Sequence, residues 1–138
     1  MGRNQKMEKS CGGIIIKDEK VLMVRQASKI IGFPKGHTEE GETEVKTAIR
    51  EIKEETNITA QIDENKRYTI LYSQKPNIEK EVIYFIGTPL DDKQPKPQKG
   101  EIEEVMWVDI DKVEDNLSFD NIKEMWQKVL KDIRQSIE

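Results

Sequence analysis

The order of elements predicts a mixed α+β fold, with a sheet packed between helices. Three observations carry this. Short apolar runs of strand character come first, an amphipathic helix interrupts them over 43–56, and a second amphipathic helix closes the chain over 121–137. A chain of 138 residues suits one domain, 1–138, with residues 1–8 as a polar, frayed start.

Residues 10–17 (SCGGIIIK) read as a strand, with three isoleucines in a row. Asp18 and Glu19 form a tight turn, and residues 20–26 (KVLMVRQ) return as the second arm of a hairpin. Residues 31–33 make a short strand. Residues 34–42 read as loop, punctuated by Pro34, Gly36 and Gly41. The helix over 43–56 has Thr43 as N-cap, Glu44 at its positive dipole end, and Val45, Ala48, Ile49 and Ile52 as an apolar stripe. Asn57 suits the left-handed C-cap position. Residues 59–63, 68–74 and 80–88 read as strands. The last alternates Val82, Tyr84 and Ile86 with Ile83 and Phe85. Residues 91–100 (DDKQPKPQKG) read as an exposed loop, 104–109 as a strand. The closing helix carries Ile122, Trp126, Val129, Ile133 and Ile137 on one stripe.

Composition excludes several classes. Twenty-three Lys and Arg against 27 Asp and Glu leave a net charge of −4, which argues against stable binding to nucleic acid. The single cysteine, Cys11, makes no internal bridge and reads as a buried small residue. No apolar run reaches the roughly 18 residues of a membrane span, and the N-terminus carries no apolar signal segment. A cytoplasmic protein without membrane association, monomer or homodimer, is the expectation.

The polar face of the first helix carries the chemistry. Glu51 and Glu55 are i and i+4, and Glu51 and Glu54 are i and i+3, so three carboxylates share one side. Like charges so placed repel. Either neighbouring cations (Arg50, Lys46, Lys53) offset this or a divalent ion does, and three carboxylates with a nearby carbonyl suit Mg²⁺ or Mn²⁺. Taken alone, the helix reads more readily as a solvated charged face than as a metal site.

The residues before the helix add the decisive context. Residues 36–58 read GHTEEGETEVKTAIREIKEETNI. This resembles the Nudix box: Gly36, five residues, Glu42, seven residues, then Arg50-Glu51-Ile52-x-Glu54-Glu55-x-x-Ile58. The one departure is Asn57, where the pattern has glycine. A match of this length is far more specific than a short motif. The resemblance implies an α/β/α sandwich with a mixed central sheet, covering about residues 8–135. It also implies a pyrophosphohydrolase that cleaves a nucleoside diphosphate linked to another group, as water attacks phosphorus with the help of Mg²⁺ or Mn²⁺. It makes Gly36, Glu51, Glu54 and Glu55 metal ligands and Arg50 the residue that orients Glu51. Family members often add a glutamate ahead of a late tryptophan. Glu101, before Trp107, is that residue here, as ligand or base, with Glu103 and Glu104 as near alternatives. Trp107 and Trp126 read as core.

The flank Phe33-Pro34-Lys35-Gly36-His37 resembles the diadenosine polyphosphate hydrolases of the family. It implies Lys35 and His37 beside the phosphate chain and Tyr84 stacked on adenine, with Lys75 and Lys80 reaching distal phosphates. The expected substrate is then a small nucleotide, diadenosine tetraphosphate cut to ATP and AMP. Alternatives are a MutT-like nucleoside triphosphate pyrophosphatase and an ADP-ribose, RNA 5′-end or diphosphoinositol hydrolase. A module that binds nucleotides without cleaving them is the reading of a different class. The intact set Arg50, Glu51, Glu54 and Glu55 speaks against it.

Overall fold

A computed structural model describes residues 6–137. Seven strands and three helices follow in the order β1 (Lys6–Lys17), β2 (Lys20–Gln26), β3 (Ile31–Gly32), β4 (Lys35–His37), α1 (Glu44–Thr56), β5 (Ala60–Lys75), β6 (Ile78–Pro89), β7 (Ile102–Asp109), α2 (Val113–Asn116) and α3 (Asp120–Ile137). The mixed sheet runs β3-β2-β1-β6-β5, with β7 on β2 and β4 on β1. Helices cover both faces. Against α3 lie Ile14, Val21, Met23, Phe33, Val82, Tyr84 and Ile86, meeting Ile122, Met125, Trp126 and Val129. Against α1 lie Cys11, Ile15, Leu22, Ile83 and Phe85, meeting Ala48 and Ile52. The alternation read in residues 82–86 therefore sorts the two faces as expected.

Local signals hold at the first hairpin and at α1. Asp18 and Glu19 both take positive φ, 51° and 61°, which matches the twist of a tight hairpin. Thr43 Oγ1 accepts the Lys46 amide at 3.1 Å. Asn57 closes α1 in the left-handed region at φ 69°, its amide donating to the Lys53 carbonyl at 2.9 Å. Asparagine thus performs the glycine's task at the one departure from the box. Trp126 is buried, and Trp107 is partly buried against the α1-side core.

Four expectations need correction. Residues 6–8 are not frayed: β1 starts at Lys6 and pairs in parallel with β6 from Lys6↔Ile78 onward. The loop read over 34–42 contains β4, which pairs with β1 through Ser10↔His37, Cys11↔Gly36 and Gly12↔Lys35. Gly12 permits that approach, because a Cβ there would stand 2.0 Å from the Pro34 oxygen. The two strands read over 59–74 are one, β5, with a register shift between Asp63 and Arg67. The segment after β7 forms a 3₁₀ turn and α2, too short to carry a periodic signal. The side chain of Ile137 lies outside the described ones. Among the described residues no helix is long and apolar enough to cross a membrane.

One feature of the topology opens the cleft. β2 pairs with β1 only at Ile16↔Val21 and Lys17↔Lys20. Farther back along the same edge of β1, β4 takes its place. Between the parting β2 and β4 the sheet leaves a gap, and the C-terminal half of α1 faces it.

Candidate active site

The gap is a cleft of about 450 Å³ lined by Lys35, Gly36, His37, Glu51, Glu54, Glu55 and Glu101, together with Ser10, Gln26, Glu39 and Gln98. Helical spacing places Glu51, Glu54 and Glu55. Glu101 arrives differently. The 91–100 loop straps the end of α1: the Lys96 amide donates to the Thr56 carbonyl at 2.9 Å, the Gln98 amide to that of Glu55 at 3.2 Å, and Asn57 Nδ2 to the Gln94 carbonyl at 3.2 Å. These bonds satisfy orphan carbonyls at the helix end and hold the chain so that Glu101 follows at the cleft. Glu103 and Glu104 face elsewhere. Glu103 pairs with Arg25 (2.8 Å) and with Lys29, and Glu104 with Arg25 Nη2 (2.6 Å).

Arg50 organises the acidic side. Its Nε and Nη2 grip Glu42 at 2.6 and 2.9 Å, Nη1 reaches Glu51 (3.0 Å) and Glu54 (3.2 Å), and Nη2 also donates to the His37 carbonyl at 2.9 Å. The bidentate partner is thus Glu42, with Glu51 held through one nitrogen. Arg50 and the Glu39 amide hold the Glu42 carboxyl down at about 2, and Thr47 donates to it as well. Glu42 is a fixed box position, but spacing alone does not show that it is the bidentate partner of Arg50, since eight residues and the start of α1 separate them.

The carboxylates differ in environment. Burial, then the like charges of Glu51 and Glu101, push the Glu55 carboxyl up to about 8, although the Lys35 amide donates to it at 3.1 Å. Burial likewise raises Glu51, against the pull of Arg50. Glu54 is the most exposed of the three. Gly36 leaves room for the Glu51 carboxylate: a Cβ there would sit 2.0 Å from Glu51 Cδ and push it aside. Among the described residues no three acidic side chains converge as a ready ligand cage. Glu51 leans on Arg50 and Glu55 on the Lys35 amide. The donor set nevertheless fits a divalent cation: it is all hard oxygen, it is short of positive charge, and the bare Gly36 backbone leaves its carbonyl approachable.

A second cavity, about 420 Å³, shares Gln26 and Lys35 with the cleft and adds Phe33, Ile70, Tyr72, Lys80, Tyr84, Phe119 and Asn121 among its walls. Burial and the neighbouring Lys80 charge lower the Lys35 ammonium. Lys80 is itself only 8% exposed. The half-buried Lys35 and the buried Lys80, neither of which makes a salt bridge among the described residues, form an anion-seeking wall.

The structure brings the remaining expected residues to different places. His37 lines the cleft with its side chain exposed and contributes its carbonyl to Arg50. Tyr84 does not present a stacking face. It is 1% exposed, meeting Phe33 edge-on at 5.6 Å, because inward positions of a central strand under α3 are buried. The rings at the cavity's rim are Tyr72 and Phe119, the latter 46% exposed. Lys75 lines neither cavity, being at the far end of β5. Tyr72, Phe119 and Gln26 carried no sequence signal, since each is an ordinary strand or turn residue until the fold gathers them.

Comparison with known proteins agrees with this geometry. The NUDIX domain profile matches residues 8–128. Two crystal structures of the C. elegans Ap4A hydrolase superpose well. The binary complex does so at 23% identity with a TM-score of 0.81, over 93% of this chain and 98% of that one. The other does so at 25% with 0.75, over 92% and 98%. A UDP-X diphosphatase shares 23% identity at a TM-score of 0.75, over 99% of this chain and 67% of that one. The structural likenesses establish a common fold, and the profile over most of the chain establishes the family: this protein belongs to the NUDIX family, as a hydrolase of that family.

Proposed function

We propose that the protein hydrolyses dinucleoside polyphosphates, cutting diadenosine tetraphosphate asymmetrically to ATP and AMP. The observation that carries this reading is the second cavity. It joins the acidic cleft through shared walls and combines rim aromatics with the half-buried Lys35 and the buried Lys80. Its volume falls in the range of ligand pockets and suits one base. A similar fold in an Ap4A hydrolase supports the assignment, while the fold shared with a UDP-X diphosphatase leaves the substrate to be decided by the cavity.

Hydrolases of this family generally use divalent metal ions. Here Glu51, Glu54, Glu55, Glu101 and the Gly36 carbonyl would hold Mg²⁺ or Mn²⁺. When bound, the cation neutralises phosphate charge and acidifies water. Arg50 keeps Glu51 and Glu54 turned toward the cleft, with Glu42 anchoring it from behind. Lys35 and Lys80 draw the phosphate chain from the carboxylates toward the second cavity, and His37 borders its path. Tyr72 and Phe119 hold the base at the rim. Glu54 or Glu101 takes a proton from the attacking water. The water oxygen bonds to phosphorus, the bridging P–O bond breaks, and the two nucleotides separate.

The test is product analysis of diadenosine tetraphosphate hydrolysis in oxygen-18 water, with Mg²⁺ and with EDTA. Metal-dependent release of ATP and AMP, with label in one product, is expected. An intact dinucleotide, with a nucleoside triphosphate or ADP-ribose cleaved instead, would overturn the substrate and keep the chemistry.

A further inference from the structure

Ser10 is 1% exposed, and its Oγ has no hydrogen-bond partner among the described residues. A buried hydroxyl left unpaired has lost its water without compensation and calls for an explanation. It is also part of the wall of the acidic cleft.

The strand register says where the hydroxyl stands. Ser10 lies opposite Val82 on β6, so it shares a sheet face with Lys80 and Tyr84, each two residues from Val82. Its neighbour on that face of β1 is Gly12. A Cβ on Gly12 would stand 2.6 Å from Lys35 Cβ, so the Lys35 side chain rises from the same face. On that face of β1, Ser10 therefore lies between the position paired with the buried Lys80 (Glu8) and the position paired with the half-buried Lys35 (Gly12), at the seam of the cleft and the second cavity. A group flanked by two cations meets an anion there. A phosphate oxygen only accepts, and the hydroxyl is free to donate.

We propose that Ser10 is a phosphate-binding residue whose Oγ–H donates to a non-bridging oxygen of the polyphosphate chain where it passes from the carboxylates to Lys35 and Lys80. This rests on the reading of the cleft as a polyphosphate site and extends it to a residue outside the box.

The test compares wild type with Ser10→Ala in three measurements: melting temperature, calorimetric affinity for inorganic tripolyphosphate in Mg²⁺, and initial rates on diadenosine tetraphosphate. Ser10→Ala is expected to melt at or above the wild-type temperature, because it removes an unpaired buried group. It is expected to bind tripolyphosphate about tenfold more weakly, equivalent to about 1.4 kcal/mol, and to raise KM by a similar factor with kcat largely kept. Equal affinities, or no binding by wild type, overturn the proposal. So does a lower melting temperature in Ser10→Ala, which would show a structural partner for the hydroxyl. Weakened tripolyphosphate binding by the variant, with no dinucleotide turned over by wild type, would sink the dinucleotide reading and leave the Ser10 assignment standing.

Discussion

The acidic cleft and the cavity beside it share Gln26 and Lys35 but are assembled in opposite ways. Most of the cleft comes from one continuous stretch, β4 to α1, where helix geometry alone aligns Glu51, Glu54 and Glu55. The cavity is collected from the end of β2, the 30–35 stretch, β5, β6 and the start of α3, with Phe33, Tyr72, Lys80 and Phe119 far apart in the chain. The difference separates two tasks. The proposed chemical group is encoded mostly within one segment. The proposed substrate-selecting surface is assembled from several, so single residues there can be changed without touching the carboxylates.

The sharpest way to break that division is to neutralise one cleft carboxylate. Glu55→Gln, which removes one of the proposed metal ligands, is expected to lower kcat by about 10- to 100-fold or more with little change in KM and no loss of melting temperature, since burial already disfavours the charged carboxylate there. Steady-state kinetics and a melt check it. The cavity should answer the other way. Phe119→Ala is expected to raise KM for diadenosine tetraphosphate by about 5- to 150-fold, the value of one stacked base at about 1–3 kcal/mol, with kcat nearly unchanged. A fall in kcat as large as that of Glu55→Gln would erase the distinction between the regions.

Smaller effects sharpen it. Gly36→Ala sets a Cβ against the Glu51 carboxylate, the movable end of a flexible side chain lining the cleft, so it should displace Glu51 and lower kcat while costing no more than about 1 kcal/mol of stability, read by kinetics and urea unfolding. Outside both regions, Glu44 clamps the start of α1 to the sheet through Lys9 (2.9 Å) and Arg67 (2.8 and 2.9 Å). Arg67 and Lys9 hold its carboxyl down at about 2 from an ordinary 4.5. A depressed carboxyl contributes stability above its unfolded value and loses it as pH falls toward its folded one. Glu44→Gln should therefore lower the melting temperature by about 1–4 °C at neutral pH, and the gap should close as pH drops from 4.5 toward 2. Glu103→Ala, which breaks surface pairs with Arg25 and Lys29, should leave kcat/KM within about twofold.

The parts of the fold readable in advance were those whose cause lies within a few residues. Thr43 and Asn57 cap α1 through bonds to their own helix, and residues 82–86 alternate because a strand does. β4 was unreadable because three residues become a strand only when Gly12 admits them beside β1. β5 was split in prediction because residues 63–66 are polar, yet an edge strand carries such residues through a register shift. Within the site, Arg50 and its three glutamates were legible as a local repeat, and Glu101 only through resemblance. Tyr84 was misplaced because strand alternation says that a ring points inward but not whether a helix covers it.

The sequence by itself determined the box helix, its caps, its charged face and the family to which the chain belongs, since these depend on spacing along one segment. Tertiary structure alone decided which face of the sheet α3 covers, which aromatics remain at a rim, and that Glu42 takes the bidentate grip of Arg50. It also left Ser10 unpaired on the face that holds Lys35 and Lys80. Burial and convergence depend on segments that meet only when the chain is packed, and no local pattern records that meeting.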